Sequence, residues 1–522
     1  MKRAVRFFNT TGPCNPDDHY MLPPEERLVG AQLGRYISDN LYWVLHAPRQ
    51  TGKTTFLQNW MREINAGTEA LACYVSVERC QSFPDAKRAI PAVCSAIRDS
   101  AIATDIPVPD LPEGIPEVMM GEMLASWAAM VAPKKLVVLF DEVDVLQDEA
   151  LITFLRLLRE GFATRGVGKF PTSIALVGMR DLRDYITAAK GGVAPNPGSP
   201  FNVKADSAVL GNFTRPDIAR LFAQRTRETG QEITDEALDY AWAQSCGQPW
   251  IVNSLFMRAT MRLLPPDSAE TVTLRHLEET RAQMIEARET HLDALGKRLS
   301  DPRVKRVIQT ILTGDLGDFG REDDDVQYVL DLGLVRWTPE TNFTIANPIY
   351  AEILTRNLNS RYHDNATPPP ASSWRREDGS LDMDGLLREF QKFWRRHSEI
   401  WEGTAEYTEA FPHLLLMAFL QRVTNGGGRI DRECASGRGR MDLLVEYGGE
   451  RNIVEIKLLR DRDSRKDVLA EGLLQVREYR DRFGKGVPCY LVIFDRRSRS
   501  KRLPWSRRIQ WKKHGDVTVL GC

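Results

Sequence analysis

The chain lacks cysteine pairs of the CxxC kind, long apolar runs and an excess of charge of either sign, and each absence removes a class of protein. Its cysteines (Cys14, Cys73, Cys80, Cys94, Cys246, Cys434, Cys489 and Cys522) stand singly, with no histidine cluster near them. A zinc framework is therefore not expected, and the thiols read as reduced. The longest apolar stretches, such as Leu136–Phe140 and Leu414–Leu420, fall well short of the ~18 residues a membrane span needs. The opening MKRAVRFFNT has charge but no apolar run behind it, so no secretory signal is read. The expectation is a cytoplasmic protein with no membrane partner. Lys and Arg number 70 against 71 Asp and Glu, a net charge of −1, so any basic surface that holds nucleic acid must be local. A chain of 522 residues is too long for one core and suggests roughly three domains.

What is present starts with Leu41–Thr55, LYWVLHAPRQTGKTT. Leu41–His46 reads as a buried strand and Phe56–Ile64 as a helix. The segment between them has the spacing of a phosphate-binding loop. Pro48, Arg49, Gln50, Thr51, Gly52, Lys53, Thr54 and Thr55 are its candidate nucleotide-binding residues. Strand, loop and helix in this order set the positive end of the helix against anionic phosphates. Lys53 would reach the β- and γ-phosphates of ATP, and the Thr54 hydroxyl would ligate Mg2+. Ala47 stands where the motif has its first glycine, while Gly52, where backbone must approach phosphate, is retained.

Leu136–Phe140 is an apolar strand ending in Asp141 and Glu142. In a sheet of this type, the expectation is that this strand lies beside the loop-bearing one. Asp141 then joins the Mg2+ shell and Glu142 polarises the attacking water. A second buried strand, Ser173–Gly178, is followed by Arg180, either a γ-phosphate sensor or a surface partner of Asp181 or Asp184. Residues 6–28 read as an ordered arm that covers the adenine or packs on the sheet. Thr214-Arg215-Pro216-Asp217 reads as a capping box opening a helical region, which contains the turn Gly247-Gln248-Pro249-Trp250 and a long helix over Thr273–Leu295. Val304–Leu312, Val326–Leu332, Leu334–Trp337 and Phe343–Ile345 read as helix, helix and two strands, the order of a winged helix. The acidic run Glu322–Asp325 reads as helix capping.

His363–Trp374, stiffened by three consecutive prolines, is a linker. Beyond it Glu409 opens a helix, and strands follow at Arg429–Cys434, Met441–Tyr447 and Asn452–Lys457, the last two joined by a Gly448-Gly449 turn. The hairpin can bring Asp442 beside Glu455, and Glu455 and Lys457 share a strand face. Two carboxylates and a lysine suit Mg2+-assisted phosphodiester hydrolysis: the acids hold the metal, and Lys457 orients water or stabilises charge on phosphate. A helix over Asp467–Phe483 carries Gln475 and Tyr479, and a strand at Pro488–Phe494 completes the order α, β, β, β, α, β. The basic segment after Asp495, with Trp505 and Trp511 interleaved, reads either as a solvated tail or as a nucleic-acid contact.

On RFFNTTGP, APRQTGKTT, LVVLFDEVD, the GQPW turn and the winged-helix pattern, residues 3–360 resemble the STAND and archaeal-type P-loop ATPases related to AAA proteins. On GRGRMD, EIK and the Gln475–Tyr479 helix, residues 380–495 resemble the PD-(D/E)XK nucleases. The resemblance implies an α/β multidomain fold: a P-loop NTPase core with a parallel sheet (1–210), a helical lid (211–298), a winged helix (299–362), a linker (363–379) and a restriction-endonuclease-like α/β domain with a basic tail (380–522). It adds Glu409 and Gln475 to the candidate catalytic set of Glu142, Asp442, Glu455 and Lys457. It implies an ATPase regulating a Mg2+-dependent nuclease, acting on nucleic acid with DNA ahead of RNA. Antiviral defence is the context it suggests, and it allows for a homo-oligomer in which a neighbouring subunit supplies an arginine. The rival reading is a nucleotide-switched scaffold that binds nucleic acid or a protein without cutting. The repeat array that serves many STAND proteins as a sensor is missing.

Overall fold

A computed structural model describes residues 5–83, 85–179, 204–266, 268–287, 290–313, 320, 323–338, 342–363, 376, 378, 380–402, 416, 419–420, 428–436, 439–484, 486–495, 497 and 511–522. The chain divides into two compact units: residues 1–287 with 328–334, and residues 288–327 with 335–522.

The first unit is an α/β fold built on a mostly parallel six-stranded sheet. Its sheet contains β1 (Leu28–Val29), β2 (Tyr42–His46), β3 (Ala70–Ser76), β4 (Lys135–Asp141), β5 (Ser173–Gly178) and β6 (Lys204–Leu210), in the spatial order β1-β6-β2-β5-β4-β3. All neighbours are parallel except the β1–β6 pair at the edge. Parallel strands need both faces covered, which is why β4 and β5 are apolar and buried almost throughout. Alternation along β2 divides the work: Tyr42 and Val44 join a core with α3 (Ala86–Ala103), α4 (Pro116–Val131) and α5 (Asp148–Thr164). Trp43 and Leu45 join the opposite core with α1 (Leu33–Ser38) and α2 (Lys53–Ala66). The register His46↔Gly178 and Phe140↔Leu176 brings the ends of β2, β5 and β4 to one edge of the sheet. That edge, at the carboxyl ends of parallel strands, is where such sheets bind ligands. One expectation is corrected: β4 does not adjoin β2, because β5 lies between them.

Helices α6 (Arg215–Thr229), α7 (Asp235–Ser245), α8 (Pro249–Arg258) and α9 (Leu274–Glu286) follow the sheet. The capping box at Thr214 and Asp217 forms as its residues predict. The arm anchors on these helices by packing Phe8 against two rings, stacked on Phe222 and tilted against Phe256. The helix read over Thr273–Leu295 is instead two, α9 in the first unit and α10 (Thr290–Arg298) in the second.

In the second unit α11 (Pro302–Thr313), the start of α12 (Asp324–Asp331), the antiparallel pair β7 (Val335–Thr338) and β8 (Asn342–Ile345), and α13 (Pro348–His363) follow in sequence. Next come α14 (Met383–Glu402), β9 (Gly428–Ser436), β10 (Gly439–Tyr447), β11 (Glu450–Leu459), α15 (Arg465–Phe483), β12 (Cys489–Asp495), β13 (Lys512–His514) and β14 (Val517–Gly521). Their sheet runs β13-β14-β12-β11-β10-β9. Gly448 and Gly449 both take left-handed φ angles, as a two-residue hairpin turn requires. Phe390 and Trp394 of α14 lie in the core on one sheet face, and Val476 and Tyr479 of α15 in the core on the other. Most of the basic run after Asp495, Trp505 included, lies outside the described residues; beyond it β14 is buried throughout and pairs in parallel with β12, and the Arg388 guanidinium lies 4.4 Å from the Trp511 ring centroid.

Candidate functional sites

The first site lies where β2 runs into α2. Gly52 caps the helix with φ 98°, and Gln50 is also left-handed at 59°. A backbone turning this way presents successive N–H groups to one concavity, a nest for an anion. Lys53 is buried, and its Nζ donates to the carbonyl oxygens of Ala47 (2.7 Å) and Pro48 (3.0 Å). These acceptors are main-chain atoms, so the methyl group of Ala47 leaves the lysine's seat intact.

Although β5 separates their strands, Thr54 Oγ1 donates to Asp141 Oδ2 at 2.7 Å, and the Tyr74 hydroxyl donates to the same oxygen at 3.1 Å. Glu142 follows in a left-handed conformation (φ 61°), its N–H held by Asp141 Oδ1 at 2.9 Å. That geometry is costly for a non-glycine residue and turns the chain at the point where two adjacent carboxylates must part. Burial raises the Glu142 carboxyl above its ordinary range, with Asp144 and Asp141 adding to the rise. Burial likewise raises Asp144, whose Oδ1 is buried without a hydrogen-bond partner among the described residues. Burial lowers the Lys53 ammonium, opposed by the attraction of Asp141, Asp144 and Glu142. Hydroxyl and carboxylate oxygens form a hard donor set, so the residues present fit Mg2+.

Four further side chains belong to this site, and none was assigned to it from the sequence. Arg27 Nη2 donates to Thr51 O at 2.9 Å, and Gln248 Nε2 to Gln50 O at 3.4 Å. Tyr74 and Asp144 complete the acidic side; only Asp144, inside DEVD, had a position that could have suggested it. Cys14 N donates to Thr55 Oγ1 at 3.0 Å, which brings the arm to the start of α2. The turn after α12 also reaches the loop: a Cβ on Gly333 would lie 2.5 Å from Pro48 Cβ and Cγ. Arg49 is exposed. Arg180 lies outside the described residues.

The second site is on β11. Glu455 is 2% exposed, and Lys457 Nζ lies 3.5 Å from its Oε1 and 3.0 Å from Glu471 Oε1 on α15. Gln475, one turn along α15, has a buried Oε1 with no hydrogen-bond partner among the described residues. Asp442 is in β10 immediately before Leu443, whose partner Val454 immediately precedes Glu455; its side chain lies outside what is described, as does Glu409 altogether. Among the described residues no three His, Cys, Asp or Glu side chains converge as a metal site. Also among them, no helix is long and apolar enough to cross a membrane. Of the arginines after Asp495, Arg497 forms a buried bidentate pair with Asp495 at 2.8 and 2.6 Å.

No protein-family model matches the chain. No curated protein matches it either. Solved structures similar to it include a Walker-type ATPase of Pyrococcus abyssi (14% identity, TM-score 0.47, covering 66% of this chain and 99% of that one). Others are Cdc6p of Pyrobaculum aerophilum (14%, 0.35, 63% and 91%) and the RuvB Holliday junction branch migration motor of Thermotoga maritima (15%, 0.33, 60% and 87%).

Proposed function

We propose that the protein binds and hydrolyses ATP and that this regulates a Mg2+-dependent nuclease in the same chain. What carries the reading is the meeting of Thr54 and Asp141 at 2.7 Å beside a buried loop lysine. A hydroxyl, a carboxylate and an ammonium are thereby gathered around a backbone anion nest. Lys53 would turn from the carbonyls of Ala47 and Pro48 to the β- and γ-phosphates, Thr54 and Asp141 would hold Mg2+, and Glu142 would take a proton from the attacking water. Mg2+ when bound supplies charge neutralisation on the phosphates. In the second unit, Asp442 and Glu455 would hold Mg2+ and Lys457 would face the scissile phosphate or its attacking water. Glu409 and Gln475 would flank that centre. Arg180 is proposed as the γ-phosphate sensor.

The substrate is proposed to be nucleic acid, DNA ahead of RNA, in a cytoplasmic setting, with antiviral defence the context that the resemblance implies. Phosphate release from ATP should be lost in Lys53→Ala and Glu142→Gln. Cleavage of DNA should be lost in Asp442→Asn and Lys457→Ala while ATP binding survives. DNA that is retarded by the wild-type protein but stays intact with Mg2+ and Mn2+ would favour the non-cutting scaffold instead.

A further inference from the structure

The N–H groups that would hold phosphate are set by carbonyls on the other side of the same peptides. In a trans peptide the C=O of one residue and the N–H of the next point in opposite directions. A donor that holds Gln50 O or Thr51 O therefore turns the N–H of Thr51 or Gly52 the other way. Two side chains do this: Gln248 Nε2 holds Gln50 O, and Arg27 Nη2 holds Thr51 O. The stronger bond comes from Arg27, a charged donor with fixed geometry.

Arg27 is held through both terminal nitrogens, while its Nε is buried without a hydrogen-bond partner among the described residues. Its Nη1 donates to Gly211 O at 2.8 Å, its own carbonyl accepts from Gly211 N at 2.9 Å, and its guanidinium lies 4.9 Å from the Phe213 ring centroid. Its Nη2 is 3.1 Å from where a Cβ on Gly52 would stand, so a side chain there would press on the guanidinium as well as strain the left-handed backbone. Among the described residues no carboxylate lies within ion-pair distance. Its bonds to the protein are to neutral carbonyls, with Asp217 attracting it only from beyond ion-pair distance, and its charge favours an anion nearby.

We propose that Arg27 is a positioning residue of the ATP site, which clamps Thr51 O from outside so that the Gly52 N–H faces the phosphates. This rests on the nucleotide-site reading above. Lysine would keep the charge but offers no planar fork to hold Thr51 O and Gly211 O together.

The test measures binding of a fluorescent ATP analogue with Mg2+, and steady-state ATP hydrolysis, in the full-length wild type, Arg27→Ala, Arg27→Lys and Lys53→Ala, with melting of each nucleotide-free protein as the check on folding. Loss of a charged hydrogen bond predicts affinity about 10- to 100-fold weaker in Arg27→Ala. Arg27→Lys, the variant to rely on if alanine does not fold, should fall within a few-fold of that loss. KM should rise with kcat largely kept, as when binding common to ground and transition states is removed. Wild-type affinity in Arg27→Lys, or a fall in kcat at unchanged KM, would overturn the clamp. If Lys53→Ala also binds the analogue like wild type, the nucleotide-site reading fails and the clamp fails with it.

Discussion

Replacing Gly247 by alanine probes the packing that supports the loop without touching any residue proposed to bind phosphate. Gly247 has φ 76°, and a Cβ there would stand 1.8 Å from Phe213 O and 2.9 Å from Phe213 C. A left-handed alanine costs about 1–2 kcal/mol. Relieving an overlap with backbone, which cannot rotate away, costs about 1–3 kcal/mol more. The Gly247 carbonyl also accepts from Phe213 N at 2.8 Å, a bond that the displacement would strain. A total of about 2–5 kcal/mol should lower the melting temperature by roughly 5–10 °C. Because Arg27 stacks on Phe213 and holds Gly211 O, affinity for Mg-ATP should fall as well. Differential scanning calorimetry with and without nucleotide reads both effects. Gly34→Ala, in α1 with open space around its Cβ, is the control and should be neutral or slightly stabilising. Melting of Gly247→Ala within a degree of wild type, with equal affinity, would refute the packing account.

Gly333→Val adds bulk at a left-handed position facing Pro48 at 2.5 Å; it should weaken nucleotide binding several-fold in titration calorimetry. Glu142 keeps its proton above the ordinary carboxylate range because it is buried beside Asp144 and Asp141. If its carboxylate takes the proton from water, kcat for ATP hydrolysis should rise with pH through that raised value, which a pH–rate profile will show. The same shift makes the nucleotide-free fold bind a proton that the unfolded chain releases. Its stabilising effect is present in acid and lost as pH rises through the folded value, and Asp144→Asn should flatten that slope in denaturant titrations. Thr54→Ala removes the hydroxyl that meets Asp141 at 2.7 Å, so Mg2+ should no longer tighten ATP binding.

The strand, loop and helix around Lys53 were legible because their signal is local: a strand, a glycine, a lysine and a helix start within fifteen residues. The β10–β11 hairpin was legible for the same reason, through Gly448-Gly449. Strand order is not local, and nothing in Ser173–Gly178 announces that it inserts between the loop strand and the acidic strand. Arg27, Tyr74 and Gln248 reach the site from distant segments, and no spacing rule links them to it. The break between α9 and α10 falls in a charged helical pattern without proline or glycine to mark it. Val517–Gly521 was hidden behind the basic run before it, although its apolar residues fill the core of the second sheet. Asp144 was the nearest miss, since its neighbours Asp141 and Glu142 drew the attention that its own buried oxygen warrants.

The central claim is that occupancy of the Lys53 loop governs chemistry at Glu455 and Lys457. The most direct measurement is the rate at which the full chain cuts end-labelled DNA in Mg2+, with and without ATP, in wild type, Lys53→Ala and Glu455→Gln. The account predicts that ATP changes the wild-type rate, that Lys53→Ala cuts at a rate indifferent to ATP, and that Glu455→Gln does not cut under either condition. Equal wild-type rates with and without ATP, or undiminished cutting by Glu455→Gln, would contradict it.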